Sequence, residues 1–126
     1  GLNDLEQRTY DGFALISTYS NTEQVVGTWL GKPLYRKVVN FGSLPNTTAK
    51  NVAHGISNLD YVRDLTGIAK NPTTGSQIHV PEPAFALVDN IVLQANATNI
   101  VINTQSASWT SYTVCYITIE YTKTTD

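Results

Sequence analysis

From residue 23 to its end the chain is cut into short runs rich in Val, Ile, Thr and Tyr, punctuated by Gly, Pro and Asn at fairly regular distances. That punctuation constrains the fold more than any other feature. β-Branched and aromatic residues favour strands, and the breakers stand where the chain has to turn. Strands this short are not stable singly, so they must pair into sheets, and each sheet must bury a face against another layer. Eight segments fit the pattern: "QVVGTWL", "PLYRKVVNF", "KNVAHGI", "LDYVRDLTGIA", "SQIHV", "FALVDNIVLQA", "NIVINTQ" and "SYTVCYITIEYTK". We expect an all-β domain, an antiparallel β-sandwich or jelly-roll-like arrangement of about eight strands with little or no helix.

Two segments fix faces as well as strands. In "IVLQANATNIVIN" Ile91 and Leu93 share one side before a turn at Asn96, and Ile100 and Ile102 share one after it, which predicts a hairpin. In the closing segment Cys115, Ile117, Ile119 and Tyr121 alternate with Val114, Tyr116, Thr118 and Glu120. The second set is itself partly apolar, so that side suits cover by a second sheet or another subunit. In the opening hairpin we expect Pro33 to set the turn and Trp29 to lie across from Tyr35.

A length of 126 residues suits one domain. Residues 1–22 show no sustained period beyond the apolar run "FALIS"; we expect 1–18 to be a connector to an upstream region and 19–126 to be the β-domain. The chain has no Met, which we read as a start inside a longer protein.

Only 14% of residues are charged and the net charge is −2. Solubility therefore rests on Thr, Asn and Ser, neutral groups able to hydrogen-bond sugars or neighbouring chains, as on an extracellular or virion surface. No clustered basic face exists for nucleic acid, and no run is long enough to insert in a membrane. Cys115 cannot form an internal disulfide and reads as a buried thiol.

Little points to catalysis or to a cofactor. His54 and His79 lie 25 residues apart without a metal-ligand spacing, so metal binding would need a site shared on an oligomer axis. Asp60 and Asp64, four apart on one strand, would stand about 13 Å from each other, beyond the separations glycosidases use. No nucleophile elbow or phosphate loop is present.

The candidate ligand residues are aromatic and polar. Trp109, in a Ser-rich stretch, is either a lid on the core or a platform for the C–H face of a sugar, with Tyr112 three residues on. Tyr61 and Asp60 follow a polar turn, in which Asp60 could equally bond its own backbone. Glu82, between Pro81 and Pro83, is presented by a stiff loop.

The string Tyr19-Ser20-x-x-Glu23, followed by Gly27-Thr28-Trp29, Gly31-Lys32-Pro33-Leu34-Tyr35, a Gly-x-Leu-Pro turn at 42–45, Ala53-His54-Gly55-Ile56 and a terminal Tyr121-Thr122-Lys123-Thr124, resembles a known pattern. It is similar to the C-terminal head domain of tail-fibre, baseplate or minor structural proteins of tailed bacteriophages of Gram-positive hosts. The resemblance covers about 19–62 and 112–126. It implies an all-β receptor-binding head on a fibre or shaft, a homotrimer on the virion tail, acting outside the cell by adhesion to a host-surface glycan. A trimerisation or fibre-capping module without a ligand is the alternative it leaves. Residues 63–111 depart from the pattern, and there the ligand surface is to be sought.

Overall fold

The computed structural model describes residues 22–82 and 89–126. The expected connector 1–18, the run "FALIS" and the start of "FALVDNIVLQA" lie outside them. Eight strands follow in order: β1 (Gln24–Trp29), β2 (Lys32–Asn40), β3 (Ala49–Ala53), β4 (Leu59–Lys70), β5 (Gln77–Val80), β6 (Ile91–Ala95), β7 (Asn99–Thr104) and β8 (Val114–Lys123). Among the described residues, the one complete helical element is a single 3-10 turn at Ala107–Trp109.

All pairing is antiparallel. One sheet has the order β1-β2-β8-β4-β5 and the other β3-β7-β6. The chain changes sheet between β2 and β3, β3 and β4, β5 and β6, and β7 and β8, so the layers are sewn together four times. Pairing β2 with β8 and β3 with β7 nests the chain as a jelly roll does. The nesting stops there, because β4 and β5 pair as a hairpin within the larger sheet.

The core follows the alternation legible in the closing segment. Cys115, Ile117, Ile119 and Tyr121 all point inward from β8 and are completely buried, as are Ile100 and Ile102 facing them from β7. Each fully buried Ile contributes roughly 1.5–3 kcal/mol relative to an exposed one. Tyr35 stacks on Tyr121 at 5.7 Å from the edge of this core.

Two polar devices lock the loops. Asn96 Oδ1 accepts from the backbone N–H groups of Thr98 (3.0 Å) and Asn99 (2.7 Å), closing the expected β6–β7 hairpin. His54, almost completely buried, accepts at Nδ1 from the Ile56 N–H at 3.1 Å, so its proton sits on Nε2 and is donated to the Asn96 carbonyl at 2.9 Å. That histidine is a strut between the end of β3 and the hairpin, with both ring nitrogens engaged.

Three expectations are corrected by the register. The first hairpin turns at Leu30-Gly31, not at Pro33: both have positive φ, 54° and 77°, and Trp29 pairs directly with Lys32. This is a type I′ turn, whose twist matches the strands. Trp29 and Tyr35 therefore do not meet, since Tyr35 lies opposite Val25. Irregularities on either side of Val62 break the alternation of β4, so Asp60 and Asp64 do not share the simple strand spacing.

Candidate functional site

The outward side of the five-stranded sheet is not covered by the smaller sheet. Its central row runs along β8 through Tyr116, Thr118, Glu120 and Thr122. Glu120 is nearly buried because two arginines close over it: Oε2 takes Arg36 from β2 and Oε1 takes Arg63 from β4, each at 3.1 Å. One carboxylate thus staples three strands. Further along, Tyr116 and Ile68 lie directly opposite each other and are both exposed.

At the end of the sheet beyond this staple the structure brings Asp60 and Tyr61 together with a residue from the first hairpin. The Tyr61 ring meets Trp29 edge to face, with centroids 6.0 Å apart. Lys32, beside Trp29 on the hairpin, bonds Asp60 Oδ2 and the Lys123 carbonyl, both at 3.0 Å. Asp60 is therefore held by a lysine rather than by its own backbone. Tyr61 is 59% exposed and Leu30, at the tip of the adjoining turn, 69%. The result is an aromatic edge beside an oriented carboxylate whose Oδ1 has no partner among the described residues.

Trp109 and Tyr112 form the second aromatic pair, 5.5 Å apart and steeply inclined. Ser106 caps the 3-10 turn by accepting from the Ser108 N–H at 3.1 Å, and the Tyr112 N–H returns to the Trp109 carbonyl at 3.0 Å. Tyr112 reaches Ser76 through its hydroxyl at 2.9 Å. Both rings pack against the core, and the Trp109 indole N–H is buried with no hydrogen-bond partner. This geometry is that of a lid on the core. Tyr112 precedes β8 and the Tyr61 N–H bonds Thr122 near its far end, so the two aromatic pairs stand about 30 Å apart along the strand. They form two places, not one site.

Glu82 belongs to neither. Its backbone exchanges two hydrogen bonds with Ile91, at 3.2 and 2.9 Å, and so extends the edge of β6. Among the described residues no three His, Cys, Asp or Glu side chains gather in a metal-binding arrangement. Burial pushes the Cys115 thiol up to about 12, with the charge of Lys50 opposing, which keeps it a protonated packing group.

The sequence reading passed over the outward side of β3, β7 and β6. Asn51, Gln94, Asn99 and Asn103 project there, continued by Asn90 and Gln105 beyond the strand ends. A shallow depression of about 210 Å³ lies between Asn90, Val92, Asn103 and Gln105. The signal was present in "KNVA", "VLQA" and "NIVINTQ", where every polar residue on the outward phase of the alternation is an amide. It could be used only once the three segments were known to be neighbours.

Comparisons with protein-family models, with curated proteins and with solved structures found no match to this chain.

Proposed function

We propose that this chain is a non-catalytic receptor-binding head domain of a phage tail fibre, which attaches the virion to a host-surface glycan as a homotrimer. The observation that carries this reading is the exposed Tyr61 edge braced by Trp29, with the lysine-held carboxylate of Asp60 beside it. A sugar ring needs an apolar surface for its C–H face and oriented oxygens for its hydroxyls, and this corner offers both. Three such corners on one trimer raise avidity on a repetitive wall polymer by orders of magnitude over a single weak site. The corner lies within 19–62, the part that carries the motif resemblance, and not within 63–111, where the sequence points to the ligand surface.

The test is retention of the intact oligomer on purified host cell walls, with its mass measured in solution. Tyr61→Ala is expected to reduce retention at least tenfold without changing the oligomer. Unchanged retention by that variant refutes the corner as the site. The second reading, a trimerisation or capping module without a ligand, is favoured by the facing, exposed Tyr116 and Ile68 on the open sheet. It predicts no retention on walls and loss of the trimer in Tyr116→Ser.

A further inference from the structure

We propose that the outward face of the three-stranded sheet is a second binding surface, specific for an uncharged, polyhydroxylated chain such as a neutral oligosaccharide; the inference rests on reading the domain as a glycan adhesin. Among the described residues ten define the face, and none of them is ionisable: the six amides are interrupted only by Ala49, Ala53, Val92 and Val101. For a chain that carries both signs of charge elsewhere, a whole sheet face without one is a chemical choice. A charged ligand would meet no counter-charge here, whereas a neutral one loses none of its hydration to an unpaired ion.

The amides are also unspent. Asn51, Gln94, Asn99, Asn103 and Gln105 make no side-chain hydrogen bond within the described residues. Each offers two donors and an acceptor side by side, the complement of vicinal hydroxyls that donate and accept in turn. The valines supply apolar surface between them, as C–H faces require. Asn99, Asn103 and Gln105 lie in one row along β7, about 20 Å from first to last. A ladder of that length suits several linked rings rather than one.

The depression sits at one end of this row. Its 210 Å³ is below the roughly 300–1,000 Å³ of sites that enclose a drug-sized molecule, and it has room for a single small ring. Asn103 and Val92 are direct cross-strand partners at its floor, with Asn90 and Gln105 one step beyond. The surface is on the opposite side of the sandwich from the Tyr61 corner, so the two would act independently.

The experiment follows the side-chain amide NH₂ signals of the intact protein by NMR during titration with chitotetraose and maltotetraose as uncharged probes, and with polygalacturonate as an anionic one. The expected result is that an uncharged probe shifts the Asn103 and Gln105 signals and polygalacturonate does not. Asn103→Asp with Gln105→Glu, isosteric changes at exposed positions, should weaken that binding at least tenfold, and Tyr61→Ala should leave it unchanged. Shifts confined to Tyr61 and Trp29, untouched by the amide variants, overturn the inference and leave the adhesin reading standing. Failure of the protein to be retained on host cell walls, with no shift from any probe, overturns both. Amide signals that move with protein concentration alone overturn the inference by assigning the face to contacts between copies.

Discussion

Gly67 tests the central strand pair. It lies in β4 opposite Ile117, and a Cβ built on it would collide with Ile117 Cδ1 and stand 2.6 Å from the Tyr116 carbonyl oxygen. Neither contact is tolerable, and the two obstacles differ in kind. Ile117 is completely buried in the core, so its Cδ1 has no open space to enter, while the Tyr116 carbonyl belongs to backbone paired with β4. Gly67→Ala must therefore separate the two strands at the middle of the five-stranded sheet. Overpacking costs about 1–3 kcal/mol, occasionally more. A weakened ladder hydrogen bond adds about 1 kcal/mol, and the lower chain entropy of Ala returns about 0.5–1 kcal/mol. The net loss is about 1–3.5 kcal/mol, or a fall in Tm of roughly 3–17 °C for a chain of this size. Urea unfolding should show a lower midpoint with an unchanged m value. A second variant separates the two clashes. Ile117→Val removes Cδ1 at a cost of about 0.5–1.5 kcal/mol, so combined with Gly67→Ala it should cost less than the sum, yet leave the carbonyl clash in place. A Gly67→Ala protein within about 0.5 kcal/mol of the parent, the spread of an unremarkable substitution, refutes the reasoning.

Leu30 occupies the first central position of a type I′ turn with φ of 54°, where Asn is preferred; Leu30→Asn should raise stability by about 0.5–1 kcal/mol in urea unfolding. If the neighbouring corner holds the receptor, the same variant loses adhesion while gaining stability. Cys115 should resist thiol reagents in the native protein at pH 8 and react fully in denaturant. Its pKa is raised on folding from an ordinary 9 to about 12, and Tyr121 is shifted upward too, first by burial and then by its hydrogen bond to Glu23. The native state therefore holds these protons more tightly than the unfolded chain, so their contribution is whole below about pH 9 and declines as pH rises through 12, which denaturation midpoints measured from pH 7 to 11 will show. His54→Leu removes partners from the Ile56 N–H and the Asn96 carbonyl together and should cost roughly 2–4 kcal/mol by the same unfolding assay.

The strands were legible because hydrophobic alternation and turn residues act within a few positions of each other. β8 is the clearest case: the face predicted from Cys115, Ile117, Ile119 and Tyr121 is the buried one. The errors came from irregularities that alternation does not register. Pro33 suggested a turn because it fixes φ, yet it sits inside β2 opposite Thr28, and the turn is made by Leu30, an unexpected residue for a left-handed position. That displacement is enough to send Trp29 to Tyr61 instead of Tyr35. Trp109 and Tyr61 lie at opposite ends of one strand, a relation that distance along the sequence does not carry.

Composition misled in a more instructive way. A charge content of 14% suggests a surface uniformly poor in ions, but the four ion pairs among the described residues all lie at the five-stranded sheet. Lys32 with Asp60, Arg36 and Arg63 with Glu120, and Lys123 with Glu23 all involve strands of the five-stranded sheet or the segment leading into it. Exposed pairs of this kind add little stability individually, about 0–1 kcal/mol. The staple at Glu120 differs because its carboxylate is nearly buried and joins β2, β8 and β4. The described residues on the outward side of β3, β7 and β6 carry no charge, and a neutral sheet face must stay soluble through groups that hydrogen-bond water without holding it as tightly as ions do. Amides meet that demand, and the same property lets a hydroxylated ligand replace the water. The proposal of a neutral-oligosaccharide face therefore rests on the asymmetry between the two faces rather than on any single residue.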